Sequence, residues 1–329
     1  MSQTTRAAPT GGATRAAPAS EATRAAYGQA LVELGHQDPR VVVLDADLSK
    51  STHTALFARE FPHRHFNMGI AEQNMMGVAA GLASAGKIPF ASTFAVFASG
   101  RCFDQLRVSI CYPGLNVKIG ASHAGITVGE DGASHQAIED VALMSALPGM
   151  TVVVPADGPE TRQAVFSAAA RPGPWYLRLG RPPVPVVTPP GYRFQVGRGC
   201  VLRQGHDVAI IACGVMVAQA LAAAEELARD GVDATVVNMS TIKPLDAEMV
   251  VQVARECGAV VTAEEHSVIG GLGAAVAAVL GEVYPVPLER VGIRDRFGQS
   301  GKPDELMAEY GLTADDVVRA ARKALDRKG

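Results

Sequence analysis

The residues best suited to chemistry lie close together between positions 121 and 140, in the segment ASHAGITVGEDGASHQAIED. Histidines, acids and glycines follow directly after a short apolar run that is typical of a buried strand. Loops at the carboxyl ends of parallel strands are where open α/β sheets place their ligand sites, and glycine lets the backbone approach a ligand closely. We therefore predict a functional site that contains His123, Asp131 and His135.

A second candidate is Glu72, in the segment FNMGIAEQNMMGVAAGLASAG at positions 66–86. The pattern predicts a helix over 69–85, capped by Asn67, with Glu72 in its first turn. The residues around Glu72 are mostly apolar. Its carboxylate is therefore either a solvated acid that the helix dipole favours or a desolvated group with a raised pKa.

Two phenylalanines, Phe94 and Phe97, are spaced three residues apart where a predicted strand leads into a predicted helix. Aromatic side chains at this spacing belong either to the core or to a platform on which a ring can stack. The nearby Arg101 and Arg107 are expected to be surface charges. Taken alone, this segment leaves both interpretations of the phenylalanines open.

The elements that must position these residues alternate, from Tyr27 onward, between short apolar runs and stretches of helical period. Apolar runs without polar alternation are typical of a parallel sheet covered on both faces, so the sequence predicts a doubly wound α/β domain. Strands are predicted at 41–44, 88–93, 117–122, 151–155 and 175–179, and helices at 24–35, 69–85, 98–111, 136–147 and 158–170.

Five prolines fall within RPPVPVVTPPG at positions 181–191, which favours a stiff linker because proline cannot donate to a sheet. After it the alternation restarts, and a second doubly wound α/β domain is predicted. Its strands are predicted at 207–213, 234–239, 259–265 and 288–293, with the last helix at 313–327. The predicted boundaries are a flexible tail at 1–21, a first domain at 22–185, a linker at 186–191 and a second domain at 192–329.

The composition excludes several classes of protein. The 329-residue chain has 48% hydrophobic and 19% charged residues and a net charge of −3, an ordinary balance for globular domains. The scattered charges give no basic footprint for nucleic acid or an anionic membrane, and no apolar run has the length of a spanning helix. The five cysteines show no paired spacing, so we expect reduced thiols, no metal site in this chain and a cytoplasmic protein.

Four motifs in this order, GIAEQNMMGVAAGLA, TFAVFASGR, SHAGITVGEDGASHQ and VPADGPE, resemble the C-terminal half of transketolases, as found in the second subunit of split transketolases. The resemblance covers nearly the whole chain after the tail. It implies a thiamine-diphosphate pyrimidine-binding domain followed by a transketolase C-terminal domain, whose role is expected to be mostly assembly. It also implies transfer of a two-carbon ketol unit from a ketose phosphate to an aldose phosphate.

The resemblance assigns roles to particular residues. Glu72 matches the acid that hydrogen-bonds the pyrimidine ring of thiamine diphosphate and helps that ring act as an internal base. Phe94 and Phe97 match the aromatic pocket around the ring, whereas Gly100 stands where the family has a third aromatic residue. His135 matches the catalytic histidine that handles the proton of a sugar hydroxyl.

The resemblance also implies a site for the phosphorylated sugar. Asp131 matches the acid that recognises a sugar hydroxyl. Two guanidinium groups, a hydroxyl and an imidazole suit a dianionic phosphate. The residues that match this phosphate-binding set are Arg24, Ser51, His123 and Arg181.

One family signature is missing from the sequence: GDG followed by an asparagine, which holds Mg²⁺ and the diphosphate. The resemblance therefore implies an obligate partner subunit of about 250–300 residues that carries this site, in an α2β2 complex. We expect thiamine diphosphate and Mg²⁺ as cofactors, with Mg²⁺ held by the partner.

Three other functions remain open: the beta subunit of a 2-oxoacid dehydrogenase, a 1-deoxyxylulose-5-phosphate synthase-like enzyme, and a non-catalytic assembly subunit. The presence of Glu72, Asp131 and His135 together argues against the last. The segment GGLG at 270–273 lacks the full glycine motif of a dinucleotide site, so we interpret it as a tight helix start.

Overall fold

Two β-sheets, of seven and five strands, organise the chain in a computed structural model that describes residues 20–328. The first part of the chain forms β1 (Ser20–Ala22), α1 (Thr23–Gln37), β2 (Val41–Asp45), α2 (Ser49–Thr52), α3 (Ala55–Glu60), β3 (His65–Asn67), α4 (Glu72–Ser84), β4 (Ile88–Phe94), β5 (Lys118–Ser122), α5 (Asp140–Ala146), β6 (Thr151–Val153), α6 (Gly158–Ala170), β7 (Trp175–Arg178) and β8 (Pro183–Pro185). Short 3₁₀ helices lie at Pro62–Arg64 and Ile126–Asp131, and π-helical segments at Phe97–Arg101 and Gln105–Cys111.

The rest of the chain forms β9 (Cys200–Arg203), β10 (Val208–Ala212), α7 (Met216–Arg229), β11 (Ala234–Asn238), β12 (Thr241–Lys243), α8 (Ala247–Cys257), β13 (Val260–Ser267), α9 (Leu272–Val283), β14 (Leu288–Ile293), α10 (Pro303–Glu309) and α11 (Ala314–Asp326). The strand order is β12-β6-β7-β5-β4-β2-β3 in the larger sheet and β14-β13-β10-β11-β9 in the smaller one. Neighbouring strands are parallel except at one edge of each sheet, where β12 and β9 run antiparallel. The predicted α/β fold is therefore confirmed.

The start of the proline-rich segment and the end of the predicted tail both take part in strand pairing, whereas the predicted linker itself, at 186–191, forms no strand. β8 lies in the proline-rich segment and pairs antiparallel with β1, which includes Ser20 and Glu21 from the end of the predicted tail. The remainder of that tail lies outside the described residues. β12 follows the linker in sequence but pairs with β6 of the first sheet, so the second half of the chain completes the sheet of the first.

One local prediction is wrong, and another is right in position but not in helix type. The helix expected over 98–111 is present, but most of its turns are π turns, at Phe97–Arg101 and Gln105–Cys111, because the apolar period cannot distinguish an α-helix from the wider π turn. Asn67 does not cap α4, since it ends β3, and the helix begins only at Glu72. The Asn67 amide oxygen instead accepts a hydrogen bond from the Gly69 N–H, at 2.9 Å.

One apolar cluster joins the two sheets, because it contains side chains from β2 and β4 as well as from β10, β11 and α9. Cys102 and Cys111 are buried in this cluster, and all five cysteines are unpaired. The described helices include none that is long and apolar enough to cross a membrane.

The GGLG segment forms the start of α9, as predicted. The Glu264 carboxylate accepts hydrogen bonds from the Leu272 and Gly273 N–H groups, each at 2.7 Å. A side chain of this protein therefore already satisfies the helix terminus where a dinucleotide phosphate would bind.

Candidate active site

Adjacent strand ends bring the candidate residues of the larger sheet together. Phe94 ends β4 and pairs in register with Ser122, which ends β5, so His123 follows immediately beside Phe94. The Phe94 and His123 rings are stacked with their centroids 3.8 Å apart and an angle of 22° between the planes. His123 has a φ of 55°, a left-handed conformation that costs about 1–3 kcal/mol in a residue other than glycine. Non-glycine residues in this conformation cluster at functional sites.

His135 completes an aromatic cluster with Phe94, Phe97 and His123. The His135 ring meets the Phe97 ring nearly edge-on at a centroid distance of 5.4 Å, while Phe94 and Phe97 are stacked at 5.9 Å. The Ser134 hydroxyl lies 2.9 Å from Nδ1 of His135. The phenylalanines are therefore part of a shared site wall with two histidines rather than isolated core residues.

Glu72 is buried at the start of α4, with only 5% of its surface exposed. Nη1 of Arg101 donates a hydrogen bond to Oε1 of Glu72 at 3.0 Å, and the same guanidinium lies 4.0 Å from the centre of the Phe97 ring. The carboxylate is thus desolvated, with a cation beside it. Arg101 is exposed, as expected, but it also contacts two of the predicted site residues.

The four residues of the predicted phosphate-binding set meet around Arg24, near the start of α1. Arg24 donates from Nη1 to the Ser51 carbonyl at 2.8 Å and from Nε to the Arg181 carbonyl at 3.1 Å. Nη1 also lies 3.4 Å from Nε2 of His123. We call Arg24, Ser51, His123 and Arg181 the arginine cluster. Ser51 contributes its carbonyl rather than its hydroxyl to these contacts.

The positive charge of the arginine cluster comes from its two guanidinium groups. Burial, together with the neighbouring Arg24 and Arg181, lowers the pKa of His123 to about 3, so the imidazole is neutral at neutral pH. Because arginine only donates, Nε2 of His123 must accept, which leaves the ring proton on Nδ1 facing the Ser122 hydroxyl at 3.0 Å. Burial and the neighbouring Arg181 also lower the pKa of Arg24.

Asp131 lies at the rim of the arginine cluster. Its Oδ2 is 3.9 Å from Nη1 of Arg181, and Oε2 of Glu130 is 3.5 Å from the same atom. The Arg181 guanidinium also donates to the Val128 carbonyl. The site thus contains the exposed acid Asp131 beside the arginines Arg24 and Arg181. The aromatic cluster and the buried Glu72 lie next to them.

Comparisons with known proteins identify the family of both parts of the chain. Residues 19–186 match the family model of the transketolase pyrimidine-binding domain, and residues 197–317 match that of the transketolase C-terminal domain. The chain belongs to the transketolase family.

Among its transketolase relatives, the chain is 49% identical to the 6-deoxy-6-sulfo-D-fructose transketolase subunit SqwH of Clostridium sp. (strain MSTE9), over 92% of this chain and 94% of that protein. It is 48% identical to a putative transketolase C-terminal section of Methanocaldococcus jannaschii, over 92% and 96% of the two chains. A solved split-gene transketolase, described as an inactive beta4 tetramer, is 62% identical with a TM-score of 0.88, over 94% of this chain and 99% of that chain. By contrast, the chain spans only 49% of mouse transketolase, to which it is 41% identical.

Gly100, where the resemblance leads us to expect a third aromatic residue, is exposed. A Cβ at this position would meet no atom within 4 Å outside its own helix.

Three residues next to the candidate site residues were missed by the sequence analysis as part of the site. Asp45 is fully buried and accepts hydrogen bonds from the Thr52 and Thr54 hydroxyls, which holds α2, the short helix that carries Ser51, in place. Burial raises the pKa of Asp45. His53 lies close enough to His123 to disfavour its protonated form, and Arg101 pairs with Glu72. His53 has a left-handed φ of 62°, and its closeness in sequence to Ser51 was the only available signal.

Proposed function

We propose that this chain is the pyrimidine-binding subunit of a two-chain transketolase, which moves a two-carbon ketol unit from a ketose phosphate to an aldose phosphate. The observation that carries the proposal is the buried Glu72 carboxylate. It pairs with Arg101, whose guanidinium lies over the Phe97 ring of the aromatic cluster. A buried acid beside stacked aromatic rings suits an aminopyrimidine, which offers both a ring nitrogen and a flat face.

The residues present fit thiamine diphosphate at its pyrimidine end. When bound, this cofactor supplies the acidic thiazolium carbon and the electron sink that ketol transfer needs. Glu72 would hold a proton at the pyrimidine ring nitrogen, and Phe94 and Phe97 would orient the ring. Arg101 donates to Oε1 of Glu72, so the other carboxylate oxygen, Oε2, would take this role.

The sugar would lie between the aromatic cluster and the arginine cluster. His135 would accept or return the proton of a hydroxyl near the reacting carbonyl, and Asp131 would bind a second hydroxyl. Arg24 and Arg181 would hold the terminal phosphate by charge, with neutral His123 between them.

A partner subunit would supply the rest of the site. Within residues 20–328 there is no group of three metal-ligating His, Cys, Asp or Glu side chains, and the sequence lacks the GDG signature. We propose that the partner holds Mg²⁺ and the diphosphate, in an α2β2 complex in the cytoplasm. The family matches favour this function over a 2-oxoacid dehydrogenase beta subunit, a 1-deoxyxylulose-5-phosphate synthase-like enzyme and a non-catalytic subunit.

A second candidate substrate is a sugar with a terminal sulfonate, because a relative at 49% identity is named as a 6-deoxy-6-sulfo-D-fructose transketolase subunit. The arginine cluster suits either anion. Phosphate and sulfonate differ in charge and in the ability to donate a hydrogen bond, so the ratio of kcat/KM for the two donors decides between them.

Reconstitution tests the proposed function. The tagged chain is isolated from its native lysate, and its companion is identified by intact mass. The purified chains are then assayed separately and together with thiamine diphosphate, Mg²⁺, xylulose 5-phosphate and an aldose phosphate. We expect a stoichiometric companion of about 30 kDa that contains GDG, and turnover only when both chains are present. Turnover by this chain alone contradicts the need for a partner, and a lipoyl-bearing acyltransferase as companion supports the dehydrogenase instead.

Arg181→Ala is expected to raise the KM for phosphorylated donors by about 10–100-fold with a smaller change in kcat, because a charge-assisted contact to the phosphate is lost. The comparison donor is a non-phosphorylated ketose, for which the loss should be much smaller. Arg162→Ala serves as the control, since Arg162 is an exposed arginine paired with Glu33, away from the site. Equal losses with both donors argue against a phosphate-binding role for Arg181.

A further inference from the structure

The only regular structure in the loop between His123 and Ala137 is the short 3₁₀ helix at Ile126–Asp131, which is kinked at Gly129. Its two ends meet through an isolated bridge between Ala124 and Ala137, and glycines with positive φ lie at positions 125, 129 and 132. Buried backbone groups in such a loop need hydrogen-bond partners from elsewhere. The conformation of the loop, and with it the positions of Asp131 and His135, therefore depends on the elements packed against it.

Those elements belong to the second half of the chain. Glu265, on β13, is 5% exposed, and its Oε1 accepts a hydrogen bond from the Thr127 N–H at 2.6 Å. A Cβ at Gly125 would lie 2.2 Å from the Glu265 carboxyl carbon, so this close approach requires glycine. The cavity beside Glu265 and Thr127 has a volume of only about 20 Å³, room for one water molecule.

A second contact secures the other end of the loop. The Gln136 side chain is 3% exposed and donates from Nε2 to the Gln299 carbonyl at 2.9 Å. The same group lies 3.2 Å from the Ile126 and Gly129 carbonyls within the loop. The Gln136 carboxamide thus links the segment 298–301, just before α10, to the loop.

We propose that Glu265 is a positioning residue for ketol transfer: its carboxylate fixes the backbone of the 123–137 loop so that Asp131 and His135 reach the sugar. This inference rests on the proposed function. It gives the second half of the chain a direct part in the chemistry, beyond the mostly assembling role expected from the sequence.

Arg178 offers a competing explanation for the negative charge at this position. Its guanidinium donates to the Glu265 main-chain carbonyl at 2.9 Å, and the Glu265 side chain lies close enough to contribute to its charge balance. If Glu265 serves only as a counter-charge, the negative charge matters and the reach of the side chain does not. If Glu265 positions the loop, the length of its side chain matters more than its charge. Burial raises the pKa of Glu265, so a neutral group of the same shape is expected to be tolerated.

Two substitutions separate these roles. Glu265→Asp keeps the charge but is one methylene too short to reach the Thr127 N–H. Glu265→Gln keeps the reach and an accepting oxygen but removes the charge. Glu264→Asp is the matched control, because Glu264 is an equally buried carboxylate on the same strand whose hydrogen bonds go to the start of α9 instead.

The first measurement is hydrogen–deuterium exchange on the isolated chain, which needs neither partner nor activity. In Glu265→Asp we expect the backbone amides of residues 123–137 to exchange about tenfold faster, with those of α9 unchanged. In Glu264→Asp we expect faster exchange in α9, with residues 123–137 unchanged. Glu265→Gln is expected to stay close to the wild type. Equal acceleration in all segments, or a greater effect of Gln than of Asp, overturns the positioning role.

The second measurement is turnover by the reconstituted enzyme. Glu265→Asp is expected to lower kcat by about 10–100-fold, with Glu265→Gln and Glu264→Asp near the wild type, because small misplacements of catalytic groups are costly. Normal kcat in Glu265→Asp with a loosened loop overturns the proposal. If the wild-type pair has no activity, the proposed function fails, while the exchange data still decide whether Glu265 holds the loop.

Discussion

Glu72→Gln is expected to lower the ketol-transfer rate of the reconstituted enzyme by about 10²–10⁴-fold, the range for loss of a general acid–base group. Glutamine keeps the size of the side chain and one accepting oxygen, but it cannot exchange a proton with a ring nitrogen. Arg101 loses its charged partner at the same time, yet it is exposed and can turn to solvent. The measurement is kcat with xylulose 5-phosphate as donor, with both chains at equal concentration.

The fold should be unaffected by this substitution, which separates catalysis from stability. Glu72 begins α4 without a capping bond, so glutamine there removes no helix contact. Thermal unfolding of the isolated variant should therefore follow the wild type closely. Glu282→Gln, an exposed glutamate of α9, provides the control for a lost charge. Near-normal turnover in Glu72→Gln contradicts the assignment of Glu72, and with it the proposed cofactor chemistry.

The regular part of the fold is readable from the sequence because buried parallel strands are continuous apolar runs. The predicted strands at 88–93 and 117–122 correspond to β4 and β5, and the final predicted helix to α11. Once the strand order is known, Phe94 and His123 must be neighbours. The order itself comes from packing between distant segments, so the sequence alone does not give it.

Where the sequence analysis failed, the deciding contacts are distant in sequence or depend on local backbone geometry. β12 joins a sheet whose nearest strand, β6, lies some ninety positions earlier, and a three-residue strand carries almost no periodic signal. Arg101 looked like a surface charge because only the folded chain brings it to Glu72. The left-handed backbone of His123 and His53 likewise has no signature in residue type.

The contact between the two halves of the chain is centred on a buried ion pair that no motif reveals. Arg178, at the end of β7, donates from Nε to both carboxylate oxygens of Asp140 at 3.1 and 2.9 Å, and neither side chain is more than 6% exposed. Tyr176 donates to the same carboxylate at 2.8 Å. Burial opposes the charge of Arg178, but Asp140 and Glu265 raise its pKa overall, so it stays protonated. From Nη2, Arg178 also donates to the carbonyls of Ala137 and Glu265, one in each half of the chain.

Asp140→Ala is therefore expected to lower the free energy of unfolding by about 3–5 kcal/mol, because it leaves the Arg178 cation buried without its main counter-charge. Asp38→Ala, which breaks the solvent-facing pair with Arg40, is the control and should change stability little. Urea unfolding is followed by the fluorescence of Trp175, the single tryptophan, which is buried next to Tyr176 in β7, and by circular dichroism. Asp140→Asn should lie between the wild type and the alanine variant, since it keeps an accepting oxygen for Tyr176 but not the charge. Equal unfolding midpoints for Asp140→Ala and Asp38→Ala would contradict this prediction and would mean that Glu265 alone balances the charge of Arg178. Replacing Asp140 and Glu265 together would then be needed to measure the cost of the buried cation.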